Sequence, residues 1–276
     1  MIISVTQAYQ FFNELDDIVF VDCRYDLNDP TRGEKLFVAK HIKGAVYVDL
    51  EKHLSGEVKT TGGRHPLPNL NEFTQLLADK GIDESTTVIA YDNNRAFASR
   101  FCWMLKYIGH EKVFLLNGDL DEWEDNGYPV DTGIETIQPK QTYGAIKLKQ
   151  HLIADVQKVR SSINSATVCL IDSRHPDRYS GKHEPIDKKA GHIPSAVNYE
   201  WINVIDETGK FKSKDELEEH FSDLKKYDEI IVYCGSGVTA APNVLSLMYA
   251  GYENVRLYIG SFSDWISYPN NEIAKL

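Results

Sequence analysis

Glu229-Ile230-Ile231-Val232-Tyr233-Cys234-Gly235-Ser236-Gly237-Val238-Thr239-Ala240 is the stretch whose reading decides the fold. Its first five residues, rich in β-branched side chains, read as a buried strand. Pro242 to Ala250, stopped by Gly251, reads as a helix. Strand, short glycine loop and helix together form the unit from which parallel sheets are built. That reading puts Cys234 at the carboxyl end of a strand, where open parallel sheets bind their ligands. Loop N–H groups and the positive end of the helix dipole converge there. Both favour the thiolate, the nucleophilic form of cysteine. Gly235 and Gly237 let the loop close tightly around whatever the sulfur carries. The alternative is a small buried core cysteine before an ordinary turn, and the rest of the chain decides between the two.

The chain reads as two copies of one unit. Val19-Phe20-Val21-Asp22-Cys23-Arg24 matches Cys169-Leu170-Ile171-Asp172-Ser173-Arg174, and His41-Ile42-Lys43-Gly44-Ala45-Val46 matches His192-Ile193-Pro194-Ser195-Ala196-Val197. Val88 to Asp92 matches Ile230 to Cys234. An offset of 142 relates Asp92 to Cys234, Gly118 to Gly260 and Trp123 to Trp265. The first copy therefore has an aspartate where the second has its cysteine, and an aspartate cannot do thiol chemistry. The second half is the candidate catalytic domain, and the first is expected to shape its site. From His41 to Asp92 is 51 residues, but from His192 to Cys234 only 42. The surplus falls near Glu57 to Pro68, where Thr61-Gly62-Gly63-Arg64-His65-Pro66-Leu67-Pro68 reads as a loop. It is either a surface connection or a flap that offers Arg64 or His65 to the cysteine.

At 276 residues the chain suits two domains. The expected boundaries are 1–130 and 145–276, with the aperiodic stretch 131–144 as linker. Strands are expected near 18–22, 45–48, 87–91 and 113–116, and again near 168–171, 196–199, 229–233 and 255–258. Helices are expected near 5–14, 71–80, 95–108 and 119–126, then near 150–163, 213–222, 238–250 and 261–267. The alternation implies an α/β fold, a mostly parallel sheet with flanking helices in each half. Hydrophobic content of 42% and charged content of 26% fit a soluble globular protein. No apolar run is long enough to span a bilayer, and the start lacks the features of a signal peptide, so the cytoplasm is the expected location. A net charge of −11 without a basic cluster argues against nucleic acid as a partner. Cys23, Cys102, Cys169 and Cys234 are well separated, and no C-x-x-C or metal-ligand spacing occurs. Neither a metal, a cofactor nor a disulfide scaffold is expected.

The D-x-R strand ends, the His-Ile segments, Asp92 in the first copy and the C-x-x-G-V-T-A loop together resemble the tandem-domain rhodanese-like sulfurtransferases. The resemblance covers nearly the whole chain. It implies a five-stranded parallel sheet in each domain and a persulfide on Cys234. That persulfide would be loaded by a small-molecule sulfur donor and unloaded by cyanide, a thiol or thioredoxin. Two half-reactions of this kind give ping-pong kinetics. Gly235, Gly237, Val238 and Thr239 would line the donor site.

The loop also bears on the donor. Thiosulfate-using members carry two cations just after the cysteine, where this chain has Gly235 and Ser236. The C-G-S-G-V-T-A form looks like that of 3-mercaptopyruvate sulfurtransferases, whose donor leaves as an enolate that needs a proton, and a serine hydroxyl suits that need. The resemblance pairs Ser236 with a histidine of the first domain and points to His41. It also marks Arg178 as the substrate arginine, since a guanidinium grips a carboxylate through paired hydrogen bonds. A second substrate arginine would fall where Ile186 stands, which keeps thiosulfate open as the donor. A phosphatase reading is disfavoured because Ala240 occupies the place of a phosphate-binding arginine. A persulfide relay or protein-binding module is the non-enzymatic alternative.

Overall fold

The structure is a computed structural model, and it describes residues 1–134 and 137–276. The chain forms two compact units. The first comprises Met1–Gly56 with Leu67–Lys149, and the second comprises Glu57–Pro66 with Gln150–Leu276.

In the first unit the elements run β1 (Ile2–Ser4), α1 (Val5–Glu14), β2 (Ile18–Asp22), α2 (Arg32–Ala39), β3 (His41–Ile42), β4 (Val46–Tyr47), α3 (Leu70–Asp79), β5 (Thr87–Tyr91), α4 (Ala96–Tyr107), β6 (Val113–Asn117), α5 (Leu120–Asp125) and β7 (Val130–Asp131). Five strands make a parallel sheet in the order β1-β6-β5-β2-β4. β3 and β7 pair separately and antiparallel. Helix starts follow local chemistry: Ser4 and Gln7 form a capping box on α1, and Asn69 caps α3. All five residues of β5 are buried, as befits a central strand covered on both faces. Trp123 fills the core against Phe20 and Tyr9, and its indole N–H donates to the Pro129 carbonyl at 2.9 Å.

The second unit repeats the plan with β8 (Ile153–Ala154), α6 (Val156–Ser162), β9 (Val168–Asp172), α7 (Pro176–Ser180), β10 (Val197–Asn198), α8 (Lys214–His220), β11 (Glu229–Tyr233), α9 (Ala241–Tyr249), β12 (Val255–Tyr258) and α10 (Ser261–Trp265). Its parallel sheet has the order β10-β9-β11-β12-β8. Trp265 takes the part of Trp123, its N–H donating to the Glu272 carbonyl at 2.8 Å. Replacing either tryptophan with alanine would cost about 3–5 kcal/mol.

The repeated sequence motifs are scaffold chemistry. Asp22 and Arg24 form a buried ion pair at 2.6 Å, and so do Asp172 and Arg174. Each arginine also donates to a carbonyl, Arg24 to Lys40 and Arg174 to Gly191. Tyr91 donates to Asp22 at 2.9 Å while its oxygen accepts from the Ile42 N–H. Tyr233 accepts from the Ile193 N–H in the same way.

One expectation shifts. The stretch 150–163 is not one helix: a short 3₁₀ turn (Gln150–Leu152) leads into β8, and Asp155 then caps α6 by accepting from the Lys158 N–H. The edge strand next to β12 takes these residues as β1 does next to β6. Of the expected linker 131–144, residues 135 and 136 lie outside the described residues. Lys140, within this stretch, donates its backbone N–H to the Ala78 carbonyl, and Lys147 and Lys149, just beyond it, donate theirs to Ile108 and Tyr107. Among the described residues no helix is long and apolar enough to cross a membrane.

Candidate active site

β11 ends at Tyr233, and the chain turns through Cys234–Ala240 into α9. Hydrogen bonds hold the start of the turn. The Cys234 N–H donates to Ser261 Oγ at 3.1 Å, and the carbonyls of Cys234 and Gly235 accept from the N–H groups of Phe262 and Ser263 at 3.0 and 2.9 Å. The Gly237 N–H donates to Cys234 Sγ at 3.2 Å. Gly237 has φ 78°, and a Cβ there would lie 2.1 Å from the Ile259 carbonyl oxygen, so only glycine makes this turn without a clash. α9 has no side-chain cap, so its first N–H groups and its dipole face the loop. Cys234 is 1% exposed and Ser236 8%. Val238 is buried and Thr239 half-buried.

The inserted segment Glu57–Pro66 belongs to the same compact unit as this loop. The Gly62 N–H donates to Asp264 at 2.6 Å and the Arg64 N–H to Ser263 Oγ at 3.1 Å. Gly63, with φ 84°, lies so close that a Cβ would meet the Gly260 carbonyl oxygen at 2.3 Å. These contacts fix two side chains. His65 Nδ1 is 2.8 Å from Ser236 Oγ, and Arg64 forms an ion pair with Asp187.

Arg178, on α7, reaches the same carboxylate, its Nη2 lying 2.8 Å from Asp187 Oδ2. Its Nε donates to both oxygens of Glu184 at 3.0 Å, and Glu184 is also paired with Arg174 at 3.1 Å. The outer nitrogens of the two arginines converge on Gly235. A Cβ at that position would lie 3.0 Å from Arg64 Nη2 and 3.3 and 3.5 Å from the two Nη atoms of Arg178. Burial pushes the Asp187 carboxyl above the usual carboxylate range, most strongly opposed by Arg64. Burial acts the same way on Glu184. There the hydrogen bonds from Arg178 and from the Asp187 and Ile186 N–H groups prevail, and its carboxyl sits below the usual range.

The two candidate histidines have different surroundings. His41 lies in the core of the first unit, 0% exposed, with Nδ1 2.8 Å from the Phe37 carbonyl oxygen and its ring stacked on Phe37. His192 does the same with Tyr179 in the second unit. The His-Ile segment is therefore a repeated packing device, and the histidine hydrogen-bonded to the loop serine is His65. One signal was available: His41 has a counterpart in the other half, whereas His65 lies in the insertion, which has none. Glu184, Asp187, Ser261 and Asp264 carried no comparable sequence signal, because each acts through a partner distant in the chain. Cys23, Cys102 and Cys169 are buried, and burial pushes all three thiols up. No cluster of residues suited to a metal ion occurs among the described residues.

The rhodanese-like domain family model matches residues 4–126 and 155–268. A Pseudomonas aeruginosa protein named as a probable 3-mercaptopyruvate sulfurtransferase is 36% identical over 264 residues, covering 94% of this chain and 92% of the relative. A Mycobacterium tuberculosis protein, SseB, assigned as a thiosulfate sulfurtransferase, is 33% identical over 94% of this chain and 92% of its own length. Among solved structures, SseA from Escherichia coli, described with the rhodanese fold of 3-mercaptopyruvate sulfotransferases, superposes with a TM-score of 0.82 at 29% identity. That match covers 95% of this chain and 98% of SseA.

Proposed function

This chain belongs to the rhodanese-like family and is a sulfurtransferase, and from that premise we propose that Cys234 takes sulfur from 3-mercaptopyruvate and passes it on as a persulfide. The observation that carries the donor reading is His65 on Ser236, beside two arginines that converge over Gly235. The Cys234 thiolate attacks the donor sulfur. The carbon–sulfur bond breaks with its electron pair going to carbon, which leaves the enolate of pyruvate. The proton that was on the donor thiol must end on that carbon. Ser236 Oγ, hydrogen-bonded to His65, carries it in this reading. Arg64 and Arg178 hold the donor carboxylate through charge-assisted hydrogen bonds, with Gly235, Gly237, Val238 and Thr239 forming the wall behind it. Cyanide, a small thiol or thioredoxin then attacks the outer sulfur, the sulfur–sulfur bond breaks and the Cys234 thiolate returns. Free thiols throughout the chain suit a reducing compartment, and we place the enzyme in the cytoplasm.

Thiosulfate is the second reading, favoured by the name of the M. tuberculosis relative. Its transfer yields sulfite and moves no proton, so Ser236 and His65 would have no chemical task. Cyanide-dependent turnover with each donor, compared by kcat/KM, separates the two. A large preference for 3-mercaptopyruvate is expected. A preference for thiosulfate contradicts the proton relay, and no turnover with either donor points to direct persulfide transfer between proteins.

A further inference from the structure

Asp187 pairs with both arginines of the donor site. Its side chain is 1% exposed, with Oδ1 facing Arg64 and Oδ2 facing Arg178. A bridging anion of this kind does two things. It sets the distance between the guanidinium groups, so that their remaining nitrogens meet above Gly235. It also removes charge. Arg64, Arg174 and Arg178 are matched by Asp187, Glu184 and Asp172, each of which forms an ion pair with at least one of them. The two arginines therefore offer directed N–H donors whose charge is matched by neighbouring carboxylates. The neighbouring Ile186 is 58% exposed and adds no cation. Coulomb attraction scales with the product of the charges, whereas hydrogen bonding to a planar carboxylate needs geometry. A neutralised clamp of fixed spacing thus suits a singly charged carboxylate and gives little extra hold on a dianion.

We propose that Asp187 is the specificity-determining residue of this site, holding Arg64 and Arg178 in register and cancelling charge so that a singly charged 2-oxo acid donor is selected over doubly charged thiosulfate. The inference rests on the sulfurtransferase reading above. Asp187 acts through the arginines and touches neither the donor nor the sulfur.

The test is the ratio of kcat/KM for thiosulfate to that for 3-mercaptopyruvate, with cyanide as acceptor, in the wild type, Asp187→Asn and Asp187→Glu. Asparagine keeps the size and loses the charge, so the ratio should rise about tenfold. The rise should come mainly from a lower KM for thiosulfate. Glutamate keeps the charge and should leave the ratio near that of the wild type. An equal rise in KM for both donors in the asparagine variant, with the ratio unmoved, would overturn the proposal and leave Asp187 a structural bridge. So would equal ratio shifts in the two variants. Ile186→Glu adds a negative charge at an exposed position without disturbing the bridge, and serves if Asp187→Asn does not fold. It should lower the ratio, because a dianion is repelled more than a monoanion, and an unmoved ratio contradicts the charge argument. A wild type inert with both donors would sink the reading of a small-molecule sulfur donor at this site, whereas an active wild type with an insensitive ratio would sink only this inference.

Discussion

The loop after β5 and the loop after β11 share one turn and differ in what sits at its centre. In the first, Asp92 Oδ1 accepts from the N–H groups of Asn94 and Arg95, and Oδ2 accepts from those of Phe97 and Ala98 at 2.8 and 2.9 Å. In the second, Cys234 Sγ accepts from the Gly237 N–H. The third residue after each is left-handed, Arg95 at φ 71° and Gly237 at φ 78°. One backbone cradle thus serves two ends. The carboxylate of Asp92 fills its own cradle and caps the start of α4. The smaller sulfur of Cys234 sits in a cradle of the same design, which suits a terminal sulfur carried one atom further out. The difference teaches that an anion nest is a structural cap or a reaction site according to the side chain at its base.

The sharpest way to break this comparison is to exchange the losses. Cys234→Ser should lower turnover by at least about 1,000-fold while leaving thermal stability unchanged, because the swap is nearly isosteric. Asp92→Ala should do the reverse. Loss of an acceptor for four N–H groups should cost about 2–4 kcal/mol in denaturant unfolding, with kcat of the folded protein within about twofold of the wild type. Turnover that survives in Cys234→Ser, or vanishes in a folded Asp92→Ala protein, contradicts the division of labour.

The two histidines extend the contrast. His65→Ala should lower kcat with 3-mercaptopyruvate by about 100-fold, the usual size of a lost acid–base group. It should change kcat with thiosulfate far less, because that transfer moves no proton. His41→Ala should lower stability through its lost packing on Phe37 and show no donor dependence. Equal losses with both donors in His65→Ala would reduce His65 to a positioning role.

Smaller effects concern the inserted segment and the acidic residues. Ser263→Ala removes the acceptor for the Arg64 N–H. It should raise KM for both donors about two- to tenfold with kcat little changed. Glu184 is held below its ordinary range in the folded protein. The stability it contributes is therefore present above the unfolded glutamate pKa and lost as pH falls through the depressed folded value. The gap in Tm between the wild type and Glu184→Gln should be steady above about pH 5 and close as the pH drops below about 4. A gap independent of pH would contradict the assigned shift.

Much of this architecture was legible because it is written locally. The run Glu229–Tyr233, the loop at Cys234 and the helix ending before Gly251 announce a parallel α/β unit, and the 142-residue offset announces its copy. The short edge strand Ile153–Ala154 was hidden, since two residues carry no periodicity and the turn beside them reads as helix. For the proposed site, single motifs mark Cys234, Ser236 and Arg178. Arg64 with Asp187 and His65 with Ser236 are pairings 123 and 171 residues apart, and pattern reading does not carry such pairings. A histidine that recurs in both halves draws attention to packing shared by both. The residue that differs lay in the insertion that breaks the repeat.

The most direct measurement is the intact mass of the protein after incubation with 3-mercaptopyruvate and no acceptor, followed by peptide mapping. A gain of one sulfur atom on Cys234, removed by cyanide and absent in Cys234→Ser, is the predicted result. No gain, or a sulfur located on Cys23, Cys102 or Cys169, would contradict the account.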